Sequence, residues 1–275
     1  MRNIIVRGLT GIVFIAVIIG ALLWSVEATT ILFAAILLLG VFEFYSLFKS
    51  HKKIDVSVGI GVALAGIITL LAVSSLYNWI RSDIFILAFI PLLFLGIVSE
   101  IWRKKSEPIL NSAVLVFGLI YVLLPFLLLI SMHTGLELQR VDGIPLALGM
   151  FLLIWTNDTI AYLSGRLFGK TKLIERISPN KTWEGTIGGI VMTLVVGVTL
   201  GYFNFDYAFW IPAALIVAPC AIIGDLFEST IKRNLGIKDS GNLLPGHGGI
   251  LDRFDATLMA VPFFFLWNSI YMLYF

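Results

Sequence analysis

Charge is scarce in this chain. Asp, Glu, Lys and Arg together make up 13% of its 275 residues, where an ordinary soluble domain carries roughly 25%. Cysteine is scarcer still: Cys220 stands alone, so no intrachain disulfide can form. The stretches of about ten alternating apolar and polar residues that mark a transmembrane β-barrel are missing as well. What remains is apolar. Hydrophobic residues reach 59% and mean hydropathy is +0.99, more apolar surface than a globule of this size can hide. The excess must face lipid.

A helix needs about 20 apolar residues to cross a bilayer. Nine runs qualify: Ile4–Leu23, Thr29–Phe48, Val56–Leu76, Ile84–Trp102, Ile109–Met132, Ile144–Leu163, Ile187–Phe203, Ala208–Gly224 and Phe254–Phe275. The first is flanked by Arg2 and Arg7 like a signal peptide, but with eight further spans and no small-residue cleavage site it reads as an uncleaved helix. The expected fold is all-α, a polytopic transmembrane helix bundle of about nine spans. Lys and Arg prefer the cytosolic ends of spans. Nine spans put 17 of the 19 basic residues on one side, leaving only Arg81 and Arg140 on the other. The N-terminus is therefore expected in the cytosol. The net charge of +2 is a topology signal and carries no sign of a nucleic-acid partner.

Polar residues divide the chain unevenly. Residues 1–132 read as N-terminal transmembrane helices with few internal polar groups. Gly59, Gly61 and Gly66 suggest close packing in the third span, and Pro91 and Pro125 suggest kinks. Glu43 and Glu100, near the cytosolic ends of spans 2 and 4, read as interfacial acids, with a role in substrate access as the alternative. Residues 144–275 form the expected catalytic region, with cytosolic-face loops at 164–186 and 228–253.

The chemistry gathers there. Asp158 lies inside a span, where an ionised carboxylate costs at least about 2.5–3.5 kcal/mol; it is either a site acid or a structural partner for another helix. Asp225 and Glu228 are three apart at the C-terminal end of span 8 and share a face. The helix dipole disfavours anions at that end, so the pair needs basic side chains or a metal ion. Asp252 and Asp255 repeat the spacing at the start of span 9, where N-terminal capping is the simpler role. Acids from adjacent helix ends, with phosphate nearby, suit Mg²⁺, which takes few protein carboxylates and keeps several waters. Between them, Lys232, Arg233, Lys238 and Arg253 can meet polyphosphate charge. Gly246, Gly248 and Gly249 allow the backbone to point amides at an anion. His247, among those glycines, is either a phosphate donor, a proton carrier or a loop-fixing group.

The segment from Ser229 to Asp255 resembles the signature of the phosphatidate cytidylyltransferases, or CDP-diacylglycerol synthases. It has Ser229, Ile231, Lys232 and Arg233, then four residues, Lys238 and Asp239, then Pro245, His247, Gly248 and Gly249, and a closing Asp252, Arg253 and Asp255. The resemblance extends upstream through Asn157, Asp158, Ala161 and Tyr162, through Gly165, Arg166, Gly169 and Lys170, and through the stretch from Ser178 to Gly185. It implies transfer of a cytidylyl group from CTP to phosphatidic acid, giving CDP-diacylglycerol and pyrophosphate, with Mg²⁺ as cofactor. It also implies a homodimer in a bacterial-type inner membrane, the active site facing the cytosol. On that basis Asp225 and Asp252 hold the metal, with Asp255 and Glu228 as further ligands. Lys232, Arg233 and Lys238 neutralise phosphates. Lys181, Thr182, Asp158, His247 and Arg253 contact substrate.

Two rivals fit less well. A CDP-alcohol phosphotransferase has its aspartates strung in a single motif with Ala-Arg, and none is found. A membrane transporter or channel with a charged cytosolic vestibule calls for acids at mid-membrane depth along several spans. Here they gather at one face, and the spans before Ile144 are nearly free of charge.

Overall fold

The computed structural model describes residues 2–51, 53–134, 145–204, 206–241 and 248–274. In chain order these form α1 (Arg2–Trp24), α2 (Val26–Leu47), a 3₁₀ turn (Phe48–Ser50), α3 (Val58–Leu76), α4 (Ser82–Arg103), α5 (Pro108–Gly118), a π-helical turn (Leu119–Leu123) and α6 (Leu124–Thr134). Then follow α7 (Leu146–Phe168), β1 (Lys172–Ile174), β2 (Ser178–Thr182), α8 (Trp183–Phe203), α9 (Tyr207–Asn234) and α10 (Leu251–Tyr274). Among the described residues eight helical stretches are long and apolar enough to cross a membrane, Pro108–Thr134 counting as one. The remaining expected span is α1, 23 residues long, whose stretch Thr10–Trp24 is apolar. The architecture is the expected all-α polytopic bundle.

The chain forms two compact units. The first comprises residues 1–135 and 239–252. Its core is aromatic: Phe44 packs edge-on against Tyr45 and lies beside Phe48, Phe117 and Tyr121. The buried Tyr45 hydroxyl donates to the Leu115 carbonyl at 2.6 Å. Gly61 faces the Tyr45 ring so closely that any Cβ there would enter it, which explains one of the third-span glycines. The kink expected at Pro125 takes the form of the π turn: proline has no N–H for the Tyr121 carbonyl, and a wider turn relieves the clash.

Glu100, in the last turn of α4, is buried within the protein. It is 3% exposed, pairs with Arg103 and accepts from Asn111 Nδ2 at 3.2 Å. Arg103 continues to Asp55 at 3.0 Å, and Lys105 reaches the same carboxylate at 2.6 Å. The Lys105 and Arg103 contacts hold the Asp55 carboxyl below the usual carboxylate range. The network ties the ends of α4 and α5 to the segment before α3. A cavity of about 650 Å³ opens beside it, lined among others by Ile97, Glu100, Lys104, Lys105, Pro108 and Ser112.

The second unit comprises residues 136–238 and 253–275. Small residues set its helix spacing. A Cβ on Gly185 would lie 2.6 Å from the Ala161 carbonyl, and one on Gly189 would lie 2.9 Å from that of Asn157, so α8 packs on α7 nearly backbone to backbone. At the other end of the unit Trp210 is buried against Gly149. Phe209 meets Phe264 and Tyr271 edge-on, and Trp267 Nε1 donates to the Phe209 carbonyl at 3.0 Å. The expected loop at 164–186 is more ordered than apolar runs reveal. Strands β1 and β2 pair antiparallel, Lys172 opposite Thr182 and Ile174 opposite Ser178, and Glu184 closes the base by accepting from the Lys170 and Thr171 amides at 3.1 Å.

Candidate active site

Helix α9 runs past its apolar stretch. The residues from Asp225 to Asn234, expected to leave the helix near Ser229, stay helical. Lys232 pairs with Glu228 four residues earlier at 2.5 Å, a spacing and order that favour helix. The Thr230 hydroxyl bonds back to the Leu226 carbonyl at 2.8 Å. Asp225, Glu228 and Lys232 therefore share one face of a continuous helix.

Gly224 brings α10 to that face. A Cβ on Gly224 would lie 2.5 Å from the Asp255 carbonyl and 2.9 Å from Met259 Cβ, so the two backbones cross there and Asp225 adjoins Asp255. The Asp255 carboxyl lies in the field of Asp225, Glu228 and Asp158. Four carboxylates from α7, α9 and α10 thus gather in the second unit. Two lysines answer them: Lys232, and Lys181 from β2, whose Nζ is 2.6 Å from Asp225 Oδ2. The Ser229 hydroxyl donates to Asp225 Oδ1 at 3.3 Å. Like charges this close repel unless cations compensate, and the acids outnumber the paired lysines by two.

Such an excess of hard oxygen donors suits an oxygen-seeking divalent ion. Among the described residues, however, no group of three or more His, Cys, Asp or Glu side chains closes around one point. Mg²⁺ takes one or two carboxylates and completes its octahedron with water and substrate phosphate, so a pair of these acids is as many as it would need.

The other sequence-based candidates are placed differently. Thr182 is buried, and its hydroxyl accepts from the Gly185 amide at 3.2 Å; it is the N-cap of α8. Arg233 is exposed and reaches the Ile177 and Ile237 carbonyls at 3.4 and 3.1 Å, tying α9 to the β-hairpin. Lys238 and Arg253 are exposed. His247 and Gly246 lie outside the described residues.

Asp252 belongs to the first unit, in a setting the sequence did not reveal. Its Oδ2 accepts from the Ser240 amide at 3.0 Å and the Gly249 amide at 2.9 Å. Glu43 of α2, 3% exposed, accepts from the Ile250 amide at 2.8 Å, the Leu251 amide at 3.0 Å and the Ser240 hydroxyl. Of the glycine amides expected to face an anionic ligand, that of Gly249 is therefore taken by Asp252, and the next two amides, of Ile250 and Leu251, are taken by Glu43. Glu43 thus has a structural partner that the expectation did not include, and the readable sign was an acid within an apolar run.

The fold and these carboxylates define a class: a polytopic helix bundle of membrane-spanning length with clustered acids and lysines on neighbouring helices. The chain matches the Cytidylyltransferase family over residues 5–271, and it belongs to that family. A phosphatidate cytidylyltransferase of Staphylococcus haemolyticus is 36% identical over 260 residues, covering 94% of this chain and 96% of the relative. One from Staphylococcus aureus strain COL is 35% identical over 204 residues, 73% of this chain and 75% of the relative. One from Haemophilus influenzae is 39% identical over 161 residues, 53% and 56% of the two chains.

Proposed function

We propose that this protein transfers the cytidylyl group of CTP to phosphatidate, releasing pyrophosphate and leaving CDP-diacylglycerol in the bilayer. The observation that carries this reading is the near full-length similarity to a protein named phosphatidate cytidylyltransferase. The motif from Ser229 to Asp255 supports it, every fixed position being present.

In the reaction a phosphatidate phosphate oxygen attacks the α-phosphorus of CTP. A new P–O bond forms, the bond between α-phosphorus and bridging oxygen breaks, and pyrophosphate leaves with the electron pair. The attacking oxygen is already anionic near neutral pH, so no strong general base is needed. The work is to bring two polyanions together and hold them in line. Lys181 and Lys232, already among the carboxylates, present ammonium groups to arriving phosphates. Arg233, Lys238 and Arg253 add exposed positive charge.

Mg²⁺, when bound, supplies further neutralisation of the nucleotide phosphates and of the leaving group. We assign one or two of Asp225, Asp255 and Glu228, in the second unit, to hold it; the remaining acids of the cluster, Asp158 included, add negative charge around it. Asp252 joins them through the family resemblance alone. We place the site at the cytosolic face of a bacterial-type inner membrane, where acyl chains stay in the bilayer while the head group meets soluble CTP. The asymmetry of basic residues supports that orientation. A homodimer rests on the resemblance.

Pyrophosphate release by purified protein tests the reading. Release should require CTP and phosphatidate together. Equal release from CTP alone would contradict it.

A further inference from the structure

We infer that Glu43 is a positioning residue for cytidylyl transfer, acting through Asp252; the inference rests on the function proposed above. A carboxylate this deeply buried is costly unless its oxygens are satisfied. Glu43 is satisfied by one short stretch of chain about 200 residues away in sequence. The Ile250 and Leu251 amides donate to it. They are among the N–H groups at the start of α10 that have no partner within the helix, at the positive end of its dipole. Glu43 is therefore an N-cap supplied from another helix.

A cap alone does not explain the rest of the contact. Ser240 is held twice, its hydroxyl by Glu43 and its amide by Asp252. Asp252 Oδ2 also holds the Gly249 amide, next to the two amides that Glu43 holds. The two carboxylates grip the same pair of segments, around Ser240 and around residues 249–251. Glycine makes the fit possible. A Cβ on Gly249 would strike Glu43 Oε1 and Ser240 Oγ, and one on Gly241 would lie 2.9 Å from Glu43 Oε2. Gly248 has φ +82°, and a Cβ there would lie 2.5 Å from Asp252 Oδ2. The orientation of Asp252 is thus set by the segments that Glu43 fixes to α2. Misplacing a reacting group by about 1 Å can cost on the order of a hundredfold in rate.

Glu43→Gln tests this, because it keeps the shape but replaces one accepting oxygen with an NH2 group that donates toward other donors. Full-length protein in detergent is followed by amide hydrogen exchange at residues 249–251, and by kcat and the Mg²⁺ concentration for half-maximal rate with CTP and phosphatidate. The expected result is at least tenfold faster exchange, at least tenfold lower kcat and a raised half-saturating Mg²⁺ concentration. Ser240→Ala, which removes one link only, should shift all three the same way by a smaller factor. It carries the test if Glu43→Gln does not fold. Faster exchange with unchanged kcat and Mg²⁺ dependence makes Glu43 a structural cap and overturns the inference. Unchanged exchange overturns it too, as does a lower kcat with the Mg²⁺ dependence of wild type. Wild-type protein that protects these amides yet forms no CDP-lipid overturns the proposed function first, and is distinguished by its own inactivity.

Discussion

Lys181 Nζ lies 2.6 Å from Asp225 Oδ2, joining a β-strand to the far end of a membrane helix. Both groups are partly accessible, at 27% and 36% of their side chains, so the pair contributes little to stability. Its consequence is electrostatic. Lys181 keeps one of four clustered acids compensated, and in the proposed reaction it would also meet an arriving phosphate. Lys181→Met should lower the initial rate at least tenfold, and Lys181→Arg should restore part of it. Combined with Asp225→Asn, the losses should be strongly non-additive, which a double-mutant cycle on initial rates measures.

Asp225→Asn and Asp252→Asn should each abolish turnover while leaving expression intact. Stability separates them. Asp225→Asn removes one of several mutually repelling carboxylates, so its melting temperature in detergent should not fall. Asp252→Asn weakens the acceptor for the Ser240 and Gly249 amides and should lower it. Near-normal activity in either variant removes that residue from the assigned metal ligands.

Thr182 distinguishes phosphate binding from helix capping. As the N-cap of α8, its loss to Ala should cost about 1 kcal/mol of stability. Thr182→Ser keeps the accepting oxygen and should retain both stability and the KM for CTP. A large rise in KM for Thr182→Ser, with stability unchanged, would return the residue to the substrate.

Gly185 and Gly224 mark the closest helix approaches around the carboxylates, with carbonyls 2.6 and 2.5 Å from where a Cβ would stand. Alanine at either position forces backbones apart and should destabilise the protein by about 1–3 kcal/mol. Gly224→Ala should also reduce activity in the surviving folded fraction, because it separates Asp225 from Asp255. Thermal unfolding and rates per folded molecule check both effects. Gly20, which has open space at its Cβ, is the control.

Much of the fold was legible because each span is a long apolar run, and lipid leaves a helix few alternatives. The polar parts were not. The continuation of α9 through Asn234 depends on Glu228–Lys232 pairing within a stretch whose composition reads as loop. The β-hairpin has strands of three and five residues, too short for a periodic signal. Among candidate residues, Asp158, Asp225, Glu228, Asp255 and Lys232 were legible as acids in or near spans with a base close by, whereas Lys181 came only with the family resemblance. The contacts of Glu43 were invisible, since its partner Leu251 lies 208 residues away in sequence. Gly249 before α10 looked like part of a phosphate cradle because sequence shows that an amide can approach an anion, without showing that this anion is the carboxylate of Asp252.

The central claim, cytidylyl transfer to a lipid phosphate, is tested most directly by the fate of labelled CTP. Purified protein in detergent is given phosphatidate, Mg²⁺ and CTP labelled at either the α- or the γ-phosphate, and organic-phase label is counted. The account predicts that α-label enters the lipid as CDP-diacylglycerol, that γ-label stays in water as pyrophosphate, and that EDTA stops both. Lipid carrying γ-label, or no lipid label from a folded preparation, would contradict it.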